Sequence, residues 1–122
     1  MIKLILPGPI RSKKNSKRIF SRGKFKTVLP SLAYLAWEED ARRAVVAQLP
    51  AEFKLITGDI SINAQIYYKG QKPDLSGALE SIGDCLEKIV WENDKLICSW
   101  DGSHLYHDLI NPRTELYIEL IE

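Results

Sequence analysis

Asp59-Ile60-Ser61-Ile62-Asn63-Ala64-Gln65-Ile66-Tyr67-Tyr68-Lys69 sets Ile60, Ile62, Ala64, Ile66 and Tyr68 two residues apart. Alternate residues share one side of an extended chain, so this segment reads as a strand that buries that side. Gly70-Gln71-Lys72-Pro73-Asp74 follows as a polar turn. Beyond it the period changes. Leu75, Leu79, Ile82, Leu86 and Ile89 recur at steps of three and four, which predicts a helix over roughly 76–89 with a narrow apolar stripe. Glu80, Asp84 and Glu87 lie on its opposite side.

Working outward, Leu96 to Trp100 reads as a strand, Gly102 to Asn111 as a polar loop and Thr114 to Ile121 as a closing strand with Leu116, Ile118 and Leu120 inward. Upstream, residues 2–6 form a first strand ended by Pro7-Gly8-Pro9, and residues 17–21 and 24–29 read as a hairpin about Arg22-Gly23. Pro30-Ser31 opens a helix to about Gln48, with Leu32, Leu35, Ala36, Ala44, Val45 and Leu49 as its expected inner stripe and Trp37 unassigned. The order β, hairpin, α, β, α, β, β predicts an α+β fold of two layers, a mixed sheet with two main helices packed on one face. A chain of 122 residues fits one domain, 1–122.

Net charge is only +1, but it is unevenly placed. Residues 1–30 hold nine basic side chains and no acid, while the rest holds 8 basic against 16 acidic groups. A basic strand and hairpin at 1–30 suits a polyanionic partner, and an acidic half at 59–122 suits cations. A solvated basic tail is the plainer reading, but Ile10, Ile19, Phe20, Phe25 and Val28 give this stretch something to pack. The apolar start, Met1 to Leu6, is too short for a signal-peptide core, and no stretch has membrane-spanning length. Cys85 and Cys98 form no CxxC pair and sit among apolar neighbours, so both are expected reduced and buried, as in a cytoplasmic protein.

No Ser-His-Asp order, nucleophile elbow, phosphate-binding loop or dinucleotide fingerprint occurs, so no organic cofactor is expected. His104 and His107, with Asp101, Asp108 and Cys98 nearby, lack the second cysteine pair of a structural zinc site. The carboxylates are more informative. Asp74 stands between the clearest strand and a helix, where a loop residue is held rigidly yet meets solvent. Asp94 follows the helix, and a strand leaving it beside 59–69 would bring the two acids to one sheet end. Convergent carboxylates make a hard oxygen site for Mg²⁺, which activates water in phosphodiester hydrolysis. Asp74 is equally suited to capping a helix, and Glu80, Asp84 and Glu87 to a solvated face.

Lys72-Pro73-Asp74-Leu75-Ser76, then Asp84-Cys85-Leu86, then Trp91-Glu92-Asn93-Asp94 resemble the signature of RusA-type Holliday-junction resolvases. That signature runs Pro-Asp-Leu-Asp-Asn-Leu, a helix bearing Asp-Ala-Leu, and an acidic pair before a strand. Pro7-Gly8-Pro9 through Lys13-Lys14-Asn15-Ser16 resembles the family's opening, and Asp101-Gly102-Ser103 with Pro112-Arg113 resembles a phage and prophage branch. The resemblance spans nearly the whole chain, and its specificity lies in motif order.

It implies a structure-selective endodeoxyribonuclease of recombination and repair, a homodimer that cuts four-way junctions with Mg²⁺ or Mn²⁺. Asp74 and Asp94 match its first and last catalytic aspartates. The second is Ser76 here, and a lysine one turn on is Glu80. The expected compensation is that Glu80 joins Asp74 and Asp94 as catalyst and metal ligand, Ser76 caps the helix and Asp84 is a further ligand. Lys13, Lys14, Asn15, Lys17, Arg18, Arg22 and Lys24 are the expected DNA contacts, with Phe20 and Phe25 able to stack on bases. The alternative is a branched-DNA-binding protein on the same scaffold, weakened or inactive as a nuclease because it carries Ser76.

Overall fold

The computed structural model describes residues 1–12, 17–22 and 25–121, with only the backbone taken for 17–22 and 25–28. Its elements are β1 (Ile2–Pro7), β2 (Lys17–Arg22), β3 (Phe25–Pro30), α1 (Leu32–Gln48), β4 (Ile60–Tyr68), α2 (Leu75–Leu86), a 3-10 turn (Asp94–Leu96), β5 (Ile97–Ser99), β6 (His104–His107) and β7 (Arg113–Leu120). The sheet is mixed, and two helices pack against it in an α+β arrangement. β2 and β3 form a separate hairpin.

β4 is the centre. One edge pairs antiparallel with β7, which pairs in turn with β1. The other edge pairs in parallel with β5 near Ile60 and with β6 from Gln65 to Tyr68. Ile60, Ile62, Ala64 and Ile66 are fully buried under the helices, as the alternation predicts, whereas Tyr68 is only half-buried. Leu116 and Ile118 of β7 and Leu4 and Leu6 of β1 extend this buried face, while Leu120 is exposed.

β6 lies inside the segment expected to be loop. It and β5 make one interrupted edge strand, broken at Trp100–Ser103. The break is pinned to β4: Ala64 N–H donates to Ser103 Oγ at 2.9 Å, and Gln65 Nε2 donates to Gly102 O at 2.8 Å. Gly102 has φ +82°, and a Cβ there would lie 2.5 Å from Asn63 Nδ2, so the approach requires glycine.

The inner stripe of α1 differs from the expected one. Tyr34, Trp37, Ala41 and Val45 are buried, while Leu32, Leu35 and Ala36 are exposed and Ala44 is half-buried. Steps of three, four and four place the two aromatics on the core side, since their area dominates what burial gains. Ser31 caps the helix by accepting from Tyr34 N–H at 3.0 Å. At the far end Gln48 fastens the edge strand: it accepts from Ile5 N–H at 2.8 Å and donates to Ile5 O at 2.7 Å. An edge otherwise open to pairing is thus capped by a side chain.

α2 stops at Leu86, before the expected residue 89, because the chain turns sharply. Lys88 takes φ +69°, and Lys88 N–H donates to Trp91 O at 2.7 Å. The turn buries Val90 and Trp91 and lets the segment pair with Ile56. Trp91 is fully buried, with its Nε1 donating to Gly83 O at 3.2 Å.

Of the cysteines, Cys85 is buried and Cys98 is exposed, which corrects the expectation for Cys98; both are free thiols. Cys98 lies on the edge strand, where no helix covers it. Burial pushes the Cys85 thiol up to about 12. A maleimide reagent at neutral pH is therefore expected to label one thiol in the folded protein, Cys98, and two after denaturation. Mass spectrometry checks it, and labelling of Cys85 in the native state would contradict this packing.

Candidate active site

Asp74 occupies the N-cap position of α2, yet its side chain makes no capping hydrogen bond. Instead Asp74 Oδ2 accepts from Ser76 Oγ at 3.0 Å. Ser76 therefore does not cap the helix, contrary to expectation; its hydroxyl is turned to the acid that precedes it. Asp74 also lines a hollow with Arg11, Ser12 and Lys72. Gly77 is what allows the approach of the N-terminal segment: a Cβ there would lie 2.7 Å from Ser12 Oγ.

One turn further along α2 lies a second hollow of about 320 Å³, lined by Ser76, Leu79, Glu80, Gly83, Asp94, Ile97 and Trp100. Ser76, Glu80 and Gly83 are spaced by four and three, so they share one helix face. Gly83 brings the last acid near: a Cβ built on it would lie 3.8 Å from Asp94 Cβ. Asp94 is itself fixed by the turn, its N–H donating to Glu87 Oε1 at 3.2 Å while Asn93 caps Lys95 N–H at 2.8 Å.

Glu80 and Asp94 thus share a hollow, and Ser76 links it to Asp74. Asp74 and Asp94 do not converge on one point. β5 runs parallel to β4, with Ile97 beside Ile60, so Asp94 lies at the opposite end of β4 from Asp74. The expected return to one sheet end does not occur, and α2 spans the gap. From Asp74 to Gly83 the helix rises roughly 13 Å. Glu80 lies between, and a helical side chain leans toward the N-terminus, here toward Ser76. Asp84 is half-buried toward α1, close enough to Tyr34 and Cys85 for its charge to add to the rise that burial gives their pKa values. It does not line the hollow of Glu80 and Asp94.

None of the ion pairs among the described residues involves Asp74, Glu80 or Asp94. No group of three or more metal-ligating side chains is gathered among the described residues. The donor set at the second hollow is two carboxylates and a hydroxyl. That suits Mg²⁺, which commonly takes one or two carboxylates and keeps waters for the rest. Lys13, Lys14, Asn15 and Lys24 lie outside the described residues, as do the side chains of Lys17, Arg18, Arg22, Phe20 and Phe25. His104 and His107 stand on opposite sides of β6, beside Gln65 and Tyr68.

Sequence reasoning missed Gly83 and Arg11. An isolated helical glycine and an arginine in a basic run carry no local mark of a site.

The family model for endodeoxyribonuclease RusA matches residues 7–119, from the end of β1 to the end of β7. The chain belongs to the RusA endodeoxyribonuclease family. No curated protein gives a significant match. The family's nucleases act on Holliday junctions and are generally metal-dependent. Among the described residues no helix is long and apolar enough to cross a membrane.

Gly83 gives a test of the hollow that Glu80 and Asp94 share. A Cβ there meets only ordinary contacts, Ile97 Cδ1 at 3.7 Å and Asp94 Cβ at 3.8 Å. Gly83→Ala is expected to raise stability by up to about 1 kcal/mol from helix propensity. Gly83→Leu is expected to fill the hollow and displace Asp94. Thermal unfolding and Mg²⁺ titration by calorimetry check the pair, and Mg²⁺ binding unaffected by the leucine would place the ion elsewhere.

Proposed function

We propose that this chain is a structure-selective endodeoxyribonuclease that cuts Holliday junctions or related branched DNA by metal-assisted phosphodiester hydrolysis. The observation that carries the reading is a pair of hollows along α2, one lined by Arg11, Lys72 and Asp74 and the next by Ser76, Glu80 and Asp94. Cations at the first suit the phosphate backbone, and at the second carboxylates that join no ion pair among the described residues suit a divalent ion.

In this reading Glu80 and Asp94 hold Mg²⁺ or Mn²⁺, with Ser76 at the edge of the site. The ion, when bound, activates water and neutralises charge on the scissile phosphate. Glu80 supplies the carboxylate that Ser76 lacks. Arg11 and Lys72 seat a phosphate beside Asp74. Asp74 uses Oδ2 to hold the Ser76 hydroxyl and keeps Oδ1 to orient or deprotonate the attacking water. Asp84, on the α1 side, serves packing between the helices. The basic stretch, with Lys13, Lys14, Asn15, Lys17, Arg18, Arg22 and Lys24, grips the arms without reading sequence, so affinity falls steeply with salt. A homodimer supplies two such sites for paired cuts on opposite strands.

Cleavage of a synthetic four-way junction with Mg²⁺ tests this. Asp74→Asn, Asp94→Asn and Glu80→Gln are each expected to lower the cleavage rate by about a hundredfold or more, the scale for losing a positioned acid or base. Junction binding, read by gel shift without metal, is expected to persist. Binding without cleavage by the unaltered protein would favour a non-catalytic junction binder, and full activity in Glu80→Gln would remove Glu80 from the site.

A further inference from the structure

The loop from Asp108 to Pro112 carries two large apolar side chains that the core does not use. Ile110 is 95% exposed and Leu109 61% exposed. The loop beneath them is firmly braced. Asp108 Oδ1 accepts from Ile110 N–H at 2.9 Å and from Asn111 N–H at 3.0 Å. Arg113 Nη1 donates to Asp108 Oδ2 at 3.3 Å and to Asn111 O at 3.0 Å, and its guanidinium lies 3.9 Å over the Tyr67 ring. Asp108 N–H donates to Tyr68 O at 2.8 Å, tying the loop to the end of β4. The backbone N–H groups of Asn111 and Ile110, with Arg113, hold the Asp108 carboxyl below its ordinary value, so the brace persists through neutral pH.

The strand register fixes where this tip stands. Pro7 pairs with Arg113, and Arg113 with Tyr67. The Asp108–Pro112 loop, the Lys69–Asp74 loop and the Gly8–Ser12 segment therefore leave the same end of the sheet. Those neighbours bring Lys69, Lys72 and Arg11, none of which takes part in an ion pair among the described residues. Two exposed side chains fall far short of a stable protein interface, which needs about 800 Å² per partner. Cationic surroundings also disfavour a second identical copy. The partner that suits both features is a polyanion with apolar slots, and stacked nucleobases are that.

We infer that Leu109 and Ile110 form a rigid apolar wedge that enters the base stack of DNA at a branch point, beside the phosphates held by Arg11, Lys69 and Lys72. The inference rests on the branched-DNA reading above and adds to it the group that opens the bases. A wedge of this kind works only if its mount does not yield, and the Asp108–Arg113 brace supplies that. At a branch point a base pair has already lost stacking neighbours, so insertion there is easier than into a continuous duplex.

The test is a four-way junction carrying 2-aminopurine beside the branch point, bound by the unaltered protein in EDTA so that no cutting occurs. Binding is expected to raise 2-aminopurine fluorescence. In Leu109→Ser/Ile110→Ser the opening is expected to fall by about tenfold, the scale of losing a buried isoleucine, with gel-shift affinity changed far less. Ile110→Met is expected to retain the signal. An equal signal in the double serine variant overturns the wedge while leaving the functional reading standing. A shift from dimer to monomer in that variant, seen by sedimentation, overturns it in favour of a protein contact. Failure of the unaltered protein to bind the junction overturns both.

Discussion

The arrangement depends on the parallel pairing of β5 with β4. Parallel neighbours need a crossover, because the chain must return to the strand's starting end before it can run the same way. Here that crossover is α2, and its length sets the spacing of the site. Asp74 stands where the chain leaves β4, Asp94 where it is about to enter β5, and α2 presents Ser76 and Glu80 between them. The acids form a line along a helix rather than a point at a strand end.

Small residues make that line usable. Gly77 admits Ser12 and with it the basic N-terminal segment, while Gly83 admits Asp94. Gly77, Ala78, Ser81 and Gly83 are all buried, so α2 sits close to its neighbours on several sides. The two glycines and Ser81 lower intrinsic helix stability, and α2 is instead held by packing around Ile82 and Leu86 and by the indole of Trp91 on Gly83 O. Glu80 is thereby mounted on a rigid helix, with Asp74 and Asp94 on the turns that flank it.

Much of the fold was legible because burial leaves a period. The alternation in 59–69 located β4 within a residue at each end, and the mixed sheet with two helices followed from element order. The inner face of α1 was misread because Leu32 and Leu35 match the period as well as Tyr34 and Trp37, and only packing against β1 and α2 selects between the stripes. β6 was missed because His104-Leu105-Tyr106-His107 has no alternation; it is a strand because the free edge of β4 needs partners for its N–H and C=O groups.

The sequence by itself determined which chemical groups the protein has and roughly where each stands in the chain. The basic first quarter, the Pro73-Asp74 turn and the acid at Asp94 were all visible in order, and order was enough to point to the family. Only the tertiary structure decided which of them meet. It brought Glu80 and Asp94 together, turned the Asp74 carboxylate toward Ser76, and left Asp84 half-buried outside the hollow that Glu80 and Asp94 share. The physical reason is that strand direction and helix contact are set by pairing and packing between distant segments, and these leave no local period to read.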